Sequence, residues 1–97
     1  MIRHIVLLKL QDTATDADRA NILEGLATLP GLIPPLRSYV FGTDAGLAEG
    51  NADIAVVADF DDVAGYEAYR DHEAHQQVIA ERIRPVLATR TAIQYEI

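Results

Sequence analysis

The stretch that decides the fold of this chain is Ile2-Arg3-His4-Ile5-Val6-Leu7-Leu8-Lys9-Leu10. Successive side chains of a β-strand point to opposite faces, which places His4, Val6 and Leu8 on one face and Ile5 and Leu7 on the other. Both faces therefore carry apolar side chains. This pattern predicts a strand that is covered on both sides.

The next segment has the pattern of an amphipathic helix that runs from Thr15 or Asp16 to Thr28. Thr15 and Asp18 have the spacing of a capping box, with Asp in place of the usual Glu. Leu29-Pro30-Gly31 ends the helix, because proline cannot continue it and glycine suits the turn. The predicted apolar stripe consists of Ala20, Leu23 and Ala27, with Ile22 and Leu26 beside them.

The remaining segments complete the order βαββαβ, which is the ferredoxin-like arrangement of an α+β domain with a four-stranded antiparallel sheet. We predict one domain over residues 1–97. The predicted strands are Leu36–Thr43, Ala52–Phe60 and Thr89–Ile97, the last with Thr91, Ile93, Tyr95 and Ile97 on one face. The predicted helices begin at Asp61 or Asp62 and at about His72, and the second ends or kinks near Arg84-Pro85.

The order of elements leaves one face of the sheet without helices. Because the first and third strands are apolar on both faces, this second face needs a cover, and another copy of the same sheet would supply it. The pattern therefore predicts a homodimeric α/β barrel with an interior between the two sheets.

Composition and charge exclude several classes of function. The chain has 97 residues, 49% of them hydrophobic, a net charge of −7 and no cysteine. A negative charge disfavours nucleic acid and anionic membranes as partners, and the lack of cysteine excludes disulfides and a thiolate nucleophile. The short apolar run at the N-terminus is neither a membrane span nor followed by a cleavage pattern, so we predict a soluble, cytoplasmic protein, although a mature sequence would no longer carry a signal peptide.

All the histidines lie where a small-molecule site could form. His4 is in the first strand, while Tyr66, Tyr69, His72 and His75 follow one another at intervals of three, so consecutive members share a helix face. Histidine is the most frequent general acid–base residue. A structural interpretation is open as well: interior histidines can serve to satisfy buried hydrogen bonds, and tyrosines at this spacing can serve to pack the core.

Metal and cofactor chemistry have little support in the sequence. His72 and His75, with His4 or Glu73 as a third ligand, give a weak metal pattern, and the usual zinc motifs are absent. There is no phosphate-binding glycine loop, dinucleotide fingerprint or nucleophile elbow. We predict neither a metal nor a cofactor.

Taken in order, several segments resemble one known family, the stress-responsive dimeric α/β-barrel (Dabb) family, over essentially the whole chain. The segments are Arg3-His4-Ile5-Val6-Leu7-Leu8-Lys9, Leu29-Pro30-Gly31-Leu32-Ile33-Pro34, Gly42-Thr43-Asp44, Asp53 to Val57, Phe60, and Tyr69-x-x-His72-x-x-His75. The resemblance implies a homodimer whose two sheets enclose a central cavity.

The resemblance also implies a site. In the plant member olivetolic acid cyclase, which closes a linear polyketide into a ring, a histidine and a tyrosine match His75 and Tyr69, and His4 matches another pocket histidine. His75 would be the base, Tyr69 the partner of the developing oxyanion and His4 a supporting group. Residues implied to line the cavity and bind the ligand are Val6, Leu8 and Val56.

The chain departs from the family pattern at three positions. Glu73 replaces the usual proline after His72, Gln94 replaces an aspartate, and Ile54 stands where the cyclase has a further pocket histidine. Some members hold a cation on backbone carbonyls of the loop that corresponds to Pro30–Leu36. The hypotheses are thus a binder of a small hydrophobic or aromatic molecule with cyclase-like activity, a non-catalytic stress-associated protein, or a cofactor-independent monooxygenase-like enzyme.

Overall fold

The computed structural model describes residues 1–97 and confirms the βαββαβ order. The strands are β1 (Ile2–Leu10), β2 (Ser38–Thr43), β3 (Ile54–Phe60) and β4 (Leu87–Glu96), and the helices are α1 (Asp16–Thr28), α2 (Val63–Asp71) and α3 (Glu73–Val78). Short 3-10 turns at Leu29–Gly31 and Arg84–Val86 and a π-helical turn at Ile79–Ile83 complete the chain. None of the helices has the length and apolar content needed to cross a membrane.

The sheet has the order β2-β3-β1-β4, and every neighbouring pair is antiparallel. The two strands with apolar side chains on both faces, β1 and β3, lie at its centre, as expected for the most buried positions of a sheet. The chain therefore has the predicted α+β, ferredoxin-like architecture. Strands β2 and β3 both begin two residues later than predicted, because Leu36 and Ala52 precede the first ladder pairs.

Helix α1 begins with the predicted capping box. The Thr15 side chain accepts a hydrogen bond from the Asp18 amide (3.1 Å), and the Asp18 carboxylate accepts one from the Thr15 amide (2.9 Å). The predicted apolar stripe was wrong at two positions, since Ala20 and Ala27 are exposed. The buried stripe of α1 is formed by Ile22, Gly25 and Leu26 and is continued by Leu29.

The second helical region is interrupted at His72, where the sequence predicted the start of a new helix. Asp62 caps α2 by accepting the Gly65 amide hydrogen bond at 2.8 Å. Asp71 precedes this break but does not cap the next helix, because its carboxylate pairs with Arg70. The cap of α3 is the His72 side chain, whose Nδ1 accepts from the Ala74 amide at 3.0 Å.

The two faces of the sheet differ in what covers them. Side chains at even positions of β1 and β3 point toward the helices and form the core, which includes Val6, Leu8 and Phe60. On the other face, the strand register aligns one apolar row across all four strands, and no part of the chain covers it. This row consists of Val40, Val57, Ile5 and Ile93.

Candidate functional site

A pocket of about 90 Å³ lies between the sheet and the helical region that runs from α2 to the π-helical turn. Its wall contains every site residue expected from the sequence, and these are His4, Val6, Leu8, Val56, Tyr69 and His75. The family resemblance implied that these residues line a cavity between the two sheets of a dimer, and this location was wrong. They lie on the helix-covered face, so the pocket belongs to a single chain and is separate from the open face on which two sheets could meet.

His75 is held at the pocket by the end of helix α2. The last carbonyls of a helix have no partner within it, and the Arg70 carbonyl accepts a hydrogen bond from His75 Nδ1 at 3.0 Å. Because a carbonyl only accepts, the hydrogen of the neutral ring is on Nδ1 and Nε2 keeps its lone pair. The hydrogen bond to Arg70 and the lone pair of His75 therefore belong to different ring nitrogens.

Tyr69 lies between the two pocket histidines and is 3% exposed. Its ring centroid is 4.2 Å from that of His75 and 6.0 Å from that of His4. The Tyr69 hydroxyl has one protein neighbour, the Tyr39 hydroxyl, at a long distance of 3.5 Å. Burial raises the pKa of Tyr69, so the phenol keeps its hydrogen and is a donor at neutral pH.

His4 is 3% exposed and takes its hydrogen bond from the neighbouring strand. The Gln94 side-chain amide donates to His4 Nδ1 at 2.8 Å, which places the hydrogen of the neutral ring on Nε2. Burial, with a smaller contribution from the positive charge of Arg90, lowers the pKa of His4 to about 4. Burial lowers the pKa of His75 as well, although its bond to Arg70 opposes this. Both rings are therefore neutral at neutral pH.

The prediction from sequence missed three residues that shape the site. Tyr39 was not among the predicted site residues, yet its hydroxyl is the hydrogen-bond neighbour of the Tyr69 hydroxyl. Gln94 was noted only as a departure from the family pattern, and Arg90 was not considered, although it lines the pocket. Strand alternation could have identified the last two. Since Ile93 and Tyr95 were predicted to lie on one face of the fourth strand, Arg90 and Gln94 lie together on its opposite face.

The remaining histidine is not part of the pocket. His72 caps α3, as expected for a residue at the helix boundary. No group of three or more histidine, cysteine or acidic side chains lies close enough to hold a metal ion. In the Pro30–Leu36 loop, the Ile33 carbonyl accepts a hydrogen bond from the Leu36 amide at 3.2 Å.

A larger groove of about 460 Å³ lies beside the loop between β2 and β3. Its lining includes Leu7, Asp44 and Asp53 but no histidine and no tyrosine. Its size alone does not make it a reactive site. The smaller pocket has the neutral imidazoles and the buried phenol, so it is the better candidate.

Fold and site together define a class: a small ferredoxin-like α+β domain with an uncovered apolar sheet face and a pocket beneath its helices. The chain belongs to the Dabb family, the Stress responsive A/B Barrel Domain, which it matches over residues 2–97. The resemblance seen in the sequence is thereby confirmed. A comparison with curated proteins gives no match.

Several solved structures share this fold. A dimeric ferredoxin-like protein of unknown function from Thermobifida fusca is 46% identical, with a TM-score of 0.91 over 99% of this chain and 90% of that one. A dimeric ferredoxin-like protein from Bacteroides fragilis is 24% identical, with a TM-score of 0.88 over 99% and 95%. A hydroxynitrile lyase from Passiflora edulis is 19% identical, with a TM-score of 0.84 over 99% and 92%. The last two likenesses concern the fold alone.

Proposed function

We propose that this chain forms a homodimer in which each subunit binds a small apolar or aromatic molecule in its own pocket and acts on it by proton transfer, without a cofactor. The observation that carries the proposal is the state of His75. Its Nδ1 is tied to the Arg70 carbonyl, and its free Nε2 belongs to a neutral ring beside the buried Tyr69. A general base at neutral pH must be unprotonated, and this ring meets that condition.

The proposed chemistry resembles the first step of a cyclase. His75 Nε2 removes a proton from a carbon that lies between two carbonyl groups, and the electron pair of the broken C–H bond becomes an enolate. Tyr69 donates its hydroxyl hydrogen to the enolate oxygen, as preorganised donors do for a developing negative charge. His4, whose Nε2 carries a hydrogen, is a second donor. His75 then returns its proton to the product.

The size of the pocket limits the ligand. Its volume of about 90 Å³ is less than the roughly 150 Å³ of an engineered apolar cavity that accepts benzene. Because the pocket is partly open at its rim, a short chain or a single ring can extend out of this volume, whereas a long polyketide needs the wall to move. The wall includes the π-helical turn, which contributes Ile79 and Ile83. Such turns interrupt regular helix bonding and are frequent at functional sites.

The homodimer is supported by the open face of the sheet. Val40 and Ile93, at the two ends of the apolar row, are 62% and 57% exposed in the single chain, and Leu7 and Tyr95 lie on the same face. A second copy of the sheet would remove these side chains from water. The Thermobifida fusca relative, at 46% identity, is dimeric.

Two alternatives remain distinct from this proposal. In a non-catalytic stress-associated protein, His75 would serve only to tie the end of α2. In a cofactor-independent monooxygenase-like enzyme, the same pocket would use oxygen to oxidise a quinol-like substrate. The fold is not confined to non-catalytic proteins, since the Passiflora edulis neighbour is a hydroxynitrile lyase.

A pair of His75 variants tests the proposal. His75→Asn keeps an amide donor for the Arg70 carbonyl and removes the basic nitrogen, whereas His75→Ala removes both. We would follow the exchange of the acidic C–H of ethyl 2-methylacetoacetate for deuterium by NMR, after subtraction of the buffer rate. We expect acceleration by the wild type, loss of most of it in His75→Asn and near wild-type stability of that variant.

The other outcomes are informative as well. Equal exchange rates for wild type and His75→Asn would refute the role of His75 as a base. If His75→Asn and His75→Ala both leave exchange unchanged and only His75→Ala loses stability, the structural role alone remains. Oxygen consumption with a quinol and no C–H exchange would favour the monooxygenase-like alternative.

A further inference from the structure

One charged side chain lies in the wall of an otherwise uncharged pocket. Arg90 on β4 pairs in the strand register with Leu8 on β1, so both side chains point to the helix-covered face. No aspartate or glutamate belongs to the pocket wall. Since His4 and His75 are neutral at neutral pH, Arg90 is the only charged group that a bound molecule would meet there.

The lack of a partner for Arg90 is unusual within this chain. Five of its seven arginines pair with carboxylates, among them Arg3 with Asp59 at 2.9 Å and Arg37 with Asp61 at 2.7 Å. Arg90 has no salt bridge and donates no hydrogen bond, although acidic residues outnumber basic ones by 15 to 8. The pocket therefore carries a local positive charge, although the net charge of the protein is −7.

The position of Arg90 suits one end of an amphiphilic molecule. Arg90 is exposed, whereas Val6, Leu8 and Ile83 in the same wall are buried. The guanidinium therefore lies at the rim and the apolar side chains form the floor. An anion at the rim would keep part of its hydration, which avoids most of the penalty for burying a charge.

We infer that the pocket selects small carboxylates, with the apolar part of the molecule on the buried floor and the carboxylate paired with the guanidinium of Arg90. This inference rests on the proposed function of the pocket and names its class of ligand. Arginine offers parallel N–H donors that match the two oxygens of a carboxylate. The same geometry brings the charge of Arg90 close enough to add to the effect of burial in lowering the pKa of His4 and of His75.

The test compares carboxylates with their neutral amides. Hexanoate with hexanamide, and benzoate with benzamide, differ in charge but hardly in shape. Affinities for wild type, Arg90→Gln and Arg84→Gln would be measured by NMR titration of the full chain at one ionic strength. Arg84 is a matched control, because it is also exposed and has no salt bridge but does not line the pocket.

We expect the wild type to bind each carboxylate about tenfold more tightly than its amide, since a charged hydrogen bond at a partly exposed site has roughly that effect. Arg90→Gln should remove this preference, because it weakens the binding of each carboxylate more than that of its amide, while Arg84→Gln should retain the preference. Arg90→Lys should keep part of it, because the charge remains and the paired donors are lost.

Three results would overturn the inference. If all four probes bind the wild type without preference, the pocket is a binding site but does not select anions, and the proposed function is unaffected. If Arg90→Gln and Arg84→Gln lose the same affinity, the effect is general charge and not a contact. If no probe shifts the signals of His75 and Tyr69, then the proposed binding pocket fails and the inference fails with it.

Discussion

The buried His4 ring should make the stability of this protein fall sharply in mild acid. The folded chain keeps His4 neutral down to a pKa of about 4, whereas the unfolded chain takes up a proton near the ordinary value of 6.5. Acid therefore favours the unfolded state, and the stability that His4 contributes is complete above pH 6.5 and is lost as the pH falls toward 4.

The magnitude follows from the same shift. Each unit of pKa corresponds to about 1.4 kcal/mol, so a lowering from 6.5 to about 4 gives a limit of roughly 3 kcal/mol per chain. About 2 kcal/mol of this should be lost between pH 7 and pH 5. Carboxyl groups of an unfolded chain titrate at about pH 4, and pairing with arginine lowers the pKa of Asp59, Asp61 and Asp71 further in the folded chain, so the range above pH 5 reports mainly on the histidines.

The assay is urea unfolding at several pH values between 5 and 7.5, at one protein concentration because a dimer dissociates as it unfolds. His4→Gln removes the titrating ring and keeps a polar group beside Gln94, so about 2 kcal/mol of the pH dependence should disappear. His75→Asn should change the slope less, since the bond from His75 to the Arg70 carbonyl opposes the lowering of its pKa. A wild-type slope in His4→Gln would refute the reasoning.

Two further predictions concern the dimer and the local structure. Ile93→Asp places a charge in the apolar row and should convert the dimer to a monomer, as measured by light scattering. The control Leu47→Asp, at an 89% exposed loop position, should leave the dimer intact. A dimeric Ile93→Asp protein would contradict the proposed interface. Asp62→Ala removes the cap of α2 and should lower the free energy of unfolding by about 1 kcal/mol. Asp62→Asn keeps an oxygen that can accept the same hydrogen bond and should change this free energy little. Equal losses of stability in the two variants would argue against the cap.

The sequence was sufficient for features that depend on neighbours along the chain. Alternation in β1 identified a strand with two apolar faces, and the spacing of Thr15 and Asp18 identified the start of α1. These predictions succeeded because strand alternation and helix capping are set by residues a few positions apart. Position and spacing made the histidines and tyrosines candidates, and the family resemblance selected His4, Tyr69 and His75 among them, all of which lie in one pocket wall.

Only the tertiary structure decided which face of the sheet the helices cover and which side chains meet there. Tyr39 and Tyr69 are 30 positions apart, and Gln94 reaches His4 from 90 positions away, so no local pattern relates them. Arg90 faces the pocket because β4 pairs with β1 in one particular register, and a slip of one residue would turn its side chain to the open face. Alternation along β4 puts Arg90 and Gln94 on one face, but register and packing are properties of the whole sheet, so only the folded chain shows that this face forms the pocket.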